Sequence, residues 1–316
     1  MCDMGEYHKS NNYFKSLLLS LPHNHPDVAN VYFHLGRVSY FLGDYRRALE
    51  QYEQALRLQK LEILPKKHSF DLARTLHNIG NIYSYQKQNS RALEYYEEAL
   101  EMKRVVLVDN LNHPSIATTL TAIGSIYKQR GNLEKALELF EQSYNMKKVS
   151  LPLDHPSIAD SLNNLGTIYE ERDEYEKALD CYRKSLIIKK KTLPESHPSI
   201  GVTLNNMGII YRKEGDYEQA LLCYNRSLEI ERISLSSTSL DIADTYNNLC
   251  ILYRDQSKYD KALEMAQLKL DILRKHFQDD DAQIKHAKNV IHELNLEIHS
   301  EQSNKGIDDR FLETSF

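Results

Sequence analysis

A chain of 316 residues with 45 acidic and 40 basic side chains, net charge −5, offers no electrostatic reason to hold nucleic acid or an anionic membrane. No apolar run reaches the roughly 18 residues of a membrane span, and the polar, acidic residues 1–6 do not read as a secretory signal. With only 11 glycines and 8 prolines, the composition argues for an all-α chain.

Read from the start, Gly5-Glu6-Tyr7-His8-Lys9-Ser10 parallels Gly215-Asp216-Tyr217-Glu218-Gln219-Ala220. Residues 1–24 therefore read as the second helix of a unit whose first helix is missing. That leaves Tyr13, Phe14, Leu17 and Leu18 as an apolar face, either a cap or the edge of a longer array. From residue 25 a unit recurs. Its marker is Leu162-Asn163-Asn164-Leu165-Gly166, then Leu204-Asn205-Asn206-Met207-Gly208, then Tyr246-Asn247-Asn248-Leu249-Cys250, at 42-residue intervals. Gly124, Gly80 and Gly36 continue the series backwards at 42, 44 and 44. Such a period means a stacked repeat array. Six units are expected, over 25–67, 68–110, 111–152, 153–194, 195–236 and 237–276.

The fourth unit shows the plan. Pro156 suits a first helical position. Ile158, Leu162, Leu165 and Tyr169 form a helical stripe. The pattern breaks near Arg172-Asp173-Glu174, and a second stripe follows through Tyr175, Ala178, Leu179, Tyr182 and Leu186. Spacing sets Ala178 opposite Gly166 and predicts a close helix approach. His25, His113, His155 and His197 each precede a proline at a helix start, one per unit, which is a structural role rather than a shared metal site. The tyrosines Tyr83, Tyr127, Tyr169, Tyr211 and Tyr253 read as core. After the last unit, Asp279-Asp280-Asp281 can cap a helix carrying Ile284, Ala287, Ile291, Leu294 and Ile298. The expected capping helix spans 277–299, and 300–316 reads as a loose polar tail.

The series Leu162, Leu165, Gly166, Tyr169, Ala178, Tyr182 and Ser185 resembles the tetratricopeptide repeat. The 42-residue period, the His-Pro opening and the doubled asparagine are similar to its kinesin-light-chain type. The resemblance covers about residues 5–276. It implies a right-handed α-α superhelix of six helix pairs, with an N-terminal half repeat and a C-terminal capping helix. Cys250 and Lys269 depart from the pattern, and no tryptophan occupies its large first position. Kinesin light chains also carry a heptad segment that binds the motor heavy chain; none is present here, which argues against that partner.

In the family, peptides lie along the first helices. The register from each glycine then nominates Asn78, Asn81, Asn163, Asn164, Asn205, Asn206, Asn247 and Asn248 as peptide contacts. An amide donates and accepts at once, which suits a peptide backbone. Arg74, Lys128, Arg212, Lys213 and Arg254 would select acidic side chains or a carboxylate. A plainer reading competes: the amides bond across to the next first helix and fix the pitch, and the cations are simply solvated. Cys2, Cys181, Cys223 and Cys250 are scattered without a CxxC motif, which fits a reducing cytoplasm and neither disulfide nor zinc. There is no P-loop, nucleophile elbow, HExxH or dinucleotide loop. We therefore expect a non-catalytic, cofactor-free scaffold of cargo-adaptor or assembly type that binds an extended peptide. The alternative is the interaction arm of a larger enzyme or sensor.

Overall fold

The computed structural model describes the backbone of residues 4–22, 25–61 and 66–313, and the side chains of 6–22, 25–61 and 70–301. Cys2 lies outside the described residues. These contain fourteen helices and no strand. They form two compact units, Met1–Arg172 and Asp173–Phe316. The first holds α1 (Met4–Ser20), α2 (Val28–Phe41), α3 (Tyr45–Leu61), α4 (Lys66–Tyr85), α5 (Asn89–Val106), α6 (Pro114–Gln129), α7 (Leu133–Ser150) and α8 (Pro156–Glu171). The second holds α9 (Tyr175–Thr192), α10 (Pro198–Lys213), α11 (Tyr217–Ser234), α12 (Leu240–Asp255), α13 (Tyr259–Leu273) and α14 (Ala282–Glu313).

Helices pair into hairpins, α2 with α3, α4 with α5, α6 with α7, α10 with α11 and α12 with α13; within the first unit α3 packs on α4, α5 on α6 and α7 on α8, and within the second α9 packs on α10 and α11 on α12. Of the four histidines before proline, three start helices as expected, whereas the N-cap of α2 is Asp27, two residues past His25. His113, His155 and His197 are the N-caps of α6, α8 and α10, and each ring accepts the backbone N–H two residues on. Ser239 does the same for α12. Every hairpin turn contains one residue with left-handed backbone. It is glycine at Gly43, Gly131 and Gly215 (φ +78°, +76° and +83°), but Lys87, Asp173 and Ser257 hold φ of 57–60° without that freedom.

The close approach at Gly36, Gly80, Gly124 and Gly208 differs from the glycine-to-alanine spacing expected from the sequence. The helical glycine meets an aromatic ring sixteen positions on, not the alanine twelve on. A Cβ at Gly36, Gly80, Gly124 or Gly208 would lie 2.6–2.7 Å from Tyr52, Tyr96, Phe140 or Tyr224. The alanines are buried all the same, Ala48, Ala92, Ala136 and Ala220 among them. The tyrosine series is also less central than expected. Tyr83 is buried, but Tyr127, Tyr211 and Tyr253 only flank the core. Its middle belongs to the residue just before each of them: Ile82, Ile126, Ile210 and Leu252. A β-branched or aliphatic side chain fills the shared interior, while the phenol keeps its hydroxyl near water.

A buried cation pins successive hairpins. Lys103 Nζ donates to Thr119 Oγ1 at 2.7 Å and to the Ser115 carbonyl at 3.2 Å, joining α5 to α6. Lys147 reaches Ser161 (2.8 Å) and Lys189 reaches Thr203 (3.0 Å) in the same way. In α11 the equivalent residue is Glu231, 3% exposed. Its Oε1 lies 2.9 Å from Ser227 Oγ and 3.0 Å from Thr245 Oγ1. Ser227 has one hydroxyl proton, and the Gly201 carbonyl at 2.8 Å also takes it. Burial pushes the Glu231 carboxyl up, the bonds from Ser227 and Thr245 pull it down, and Asp241 and Asp244 add to the rise. An acid raised in the fold contributes stability below its unfolded value of 4.5 and loses it as pH rises through the folded value. Glu231→Gln should therefore raise the melting temperature at pH 7, by a few degrees for about 1 kcal/mol. The gain should vanish below pH 4.5 in melts across pH. A gain independent of pH would contradict this account.

At the N-terminal end, Phe14 stacks on His34 (5.1 Å) and Tyr7 on Phe41 (5.2 Å), which docks α1 on α2. Tyr13 stays exposed, whereas Leu17 and Leu18 are half-buried. At the other end Asp281 Oδ1 accepts the Gln283 N–H at 2.7 Å and opens α14. Ile284, Ala287 and Leu294 are buried against α12 and α13. The backbone stays helical to Glu313, past the 299 boundary expected for this helix. The added stretch contains no proline, and Gly306 alone weakens it.

Candidate functional site

The third residue before each glycine is committed to the scaffold. His77 Nδ1 lies 3.3 Å from Thr119 Oγ1, and Thr121 Oγ1 lies 2.8 Å from Ser143 Oγ. In the second unit Asn205 Nδ2 donates to Thr245 Oγ1 at 3.1 Å, and Asn205 Oδ1 accepts from Asn248 Nδ2 at 2.9 Å. Asn247 Oδ1 accepts from Lys269 at 2.9 Å. Asn163 is likewise engaged. The plainer reading of the amides therefore describes this position: α10 and α12 are tied to each other through Asn205 and Asn248. Lys269, which replaces the usual small residue, also finds its reason here.

The second residue before the glycine behaves differently. Asn78, Asn164 and Asn206 are half-buried, and their side chains make no hydrogen bond among the described residues. Asn248 keeps its carbonyl oxygen unbonded. Asn81, one residue after Gly80, accepts from Tyr96 at 2.8 Å.

The basic residues are mostly matched by carboxylates one repeat further on. Lys128 pairs with Glu171 at 3.1 Å. Arg212 pairs with Asp255 at 2.7 Å, and Arg254 pairs with Glu297 at 2.6 Å and Glu293 at 3.3 Å. Lys213 Nζ sits 5.5 Å from the Tyr175 ring centre. Such half-exposed pairs contribute at most about 1 kcal/mol each, but they cancel charge that a ligand would otherwise feel.

Arg74 belongs to a different setting. A cavity of about 370 Å³ opens between α2, α4, α5 and α6. Phe33, Arg37, Arg74, His77 and Asn78 line one side; Lys103, Ser115 and Thr118 line the other. The Arg74 guanidinium stacks 4.6 Å from the Phe33 ring centre and donates to Asp71 at 3.0 Å. Burial, then the charge of Lys103, pushes His77 down to about 3, so it is neutral. Burial, then Arg74, brings Lys103 down to about 8, which leaves it mostly charged at neutral pH. The sequence reading missed Arg37 and Lys103. Arg37 follows Gly36 in the register that nominated Asn81, so its signal was present. Lys103 sits on a second helix, and only its recurrence with Lys147 and Lys189 marks it.

Two tetratricopeptide-repeat family models match the chain, one over 1–60 and 199–275, the other over 72–115, 116–157 and 158–199. No curated protein is close enough in sequence to count as a relative. Among solved structures, BtubC (BKLC) from P. vanneervenii is 19% identical, covers 73% of this chain and 90% of its own, and gives a TM-score of 0.58. A Podosopora anserina protein of nearly identical TPR-like repeats, described as a kinesin light chain, is 21% identical over 68% of this chain and 98% of its own, TM-score 0.53. The chain of the APC/C hetero-tetramer Cut9–Hcn1 is 15% identical and covers 92% of this chain and 46% of its own, TM-score 0.68. At these identities the likeness concerns the fold. Capped helix pairs at a fixed period, a glycine under a ring in four of them, and family matches along most of the chain make it a member of the tetratricopeptide repeat family.

Proposed function

We propose that the chain is a non-catalytic scaffold that holds an extended segment of a partner protein along its first helices. The observation that carries this reading is the set of unengaged amides, Asn78 and Asn164 in one unit and Asn206 in the other. Each is a helix-interior asparagine, which costs about 0.5 kcal/mol against alanine, with no bond inside the fold to offset it. The adjoining cations Arg37, Arg74 and Lys103 favour a partner segment with acidic groups near Asn78. Cargo-adaptor or assembly roles both need such a grip, and the free cysteines Cys181, Cys223 and Cys250 fit a reducing, cytoplasmic setting.

A peptide array probed with the whole chain tests the reading. Asn78→Ala with Asn206→Ala should weaken capture about tenfold, because each backbone hydrogen bond is worth about 0.5–1.5 kcal/mol. Unchanged capture by a variant with an unchanged melting curve would falsify the groove reading.

A further inference from the structure

The amides account for binding a peptide backbone, but they leave unexplained why three cations surround one cavity. Arg37 is exposed and has no ion pair among the described residues. Lys103 is 2% exposed, and two of its three N–H groups are placed, on Ser115 and Thr119. Arg74 donates to Asp71, the one carboxylate joined to this group among the described residues. His34, half-buried beside Arg37 and Arg74, is pushed down by burial first and by those two charges next; His77 is neutral. The balance is three positive charges against one negative. Ser115 comes from the first turn of α6 and Thr118 from just beyond it, and the positive dipole end of that helix adds to the same sign.

A carboxylate entering this cavity would cancel only one of the two excess charges. A phosphomonoester carries about −1.5 to −2 at neutral pH and three acceptor oxygens. It would engage the Arg37 and Arg74 guanidinium groups and the remaining Lys103 N–H together. We propose that this cavity receives a phosphorylated side chain of the partner polypeptide, so that phosphorylation of the partner, beyond its acidity, controls docking. This rests on the peptide-binding reading above and names the chemistry of one of its contacts.

The test is a titration of the isotope-labelled full chain by NMR with three probes: N-acetyl-phosphoserine methylamide, N-acetyl-aspartate methylamide and inorganic phosphate. The phosphoserine probe should shift the Ser115 and Thr118 amide signals saturably and bind about tenfold tighter than the aspartate probe. It should also bind more tightly than inorganic phosphate. Arg37→Ala should weaken it by about fivefold or more while leaving the rest of the spectrum in place. Equal binding of the aspartate probe overturns the proposal in favour of a plain carboxylate receptor. Equal binding of inorganic phosphate overturns it in favour of a free-anion site, and silence at Ser115 and Thr118 overturns it outright. None of these results touches the asparagine test, so the two readings fail separately.

Discussion

Gly208→Val is expected to destabilise the second unit by about 3 kcal/mol, near the upper end for overpacking. A Cβ there would lie 2.6 Å from a ring carbon of Tyr224, which is itself fully buried and has nowhere to go. Tyr224→Ala alone should cost about 3–5 kcal/mol by opening a cavity. The two together should cost no more than the worse single change, because the valine methyls occupy the space the ring vacates. That coupling, about 3 kcal/mol or more, is the signature of direct contact. The sixth hairpin already carries this exchange. Cys250 stands at the glycine position and Ala266, sixteen residues on, stands where the ring would be; the two share one buried cluster. Urea melts of the four proteins decide it, and strictly additive losses would show that the glycine is not there for the ring.

Leu294→Asp should detach the C-terminal helix, at a cost above about 4 kcal/mol, since it removes a buried leucine and buries a charge without a partner. Leu294 is 0% exposed and packs on Cys250, Ala262 and Ala266. The Arg254 pairs to Glu293 and Glu297 are too exposed to hold α14 in its place. In a linear array each hairpin answers mainly to its neighbours. Hydrogen exchange should therefore show lost protection in α13 and α14, with α4 to α7 unaffected. Loss of protection throughout would mean that the array melts as a single body.

Much of the fold was legible because repetition amplifies weak signals. One glycine in a helix means little, but Gly36, Gly80, Gly124 and Gly208 at a fixed interval demand a common cause. The cause itself was misread. Linear spacing set Ala178 against the glycine, whereas in the hairpins around the other glycines the ring four residues further along turns back towards the N-terminus and covers it. The candidate site was less legible. Adjacent asparagines look equivalent in a string of letters, yet Asn205 is bonded to Thr245 and Asn248 while Asn206 is left open. One residue along a helix is a rotation of about 100°, and only coordinates show which side of that rotation faces a neighbour. Lys128, Arg212 and Arg254 illustrate the same limit. Their partners lie 43 residues away, beyond any local pattern.

The buried thiols have a use of their own. Burial pushes Cys181 and Cys223 up to about 11 and raises Cys250 as well, so the reactive thiolate is scarce in the closed protein. Each sulfur becomes available to an alkylating reagent chiefly when its own helix opens. The chain thus contains three native clocks, in α9, α11 and α12, whose modification rates record the order in which neighbouring hairpins breathe.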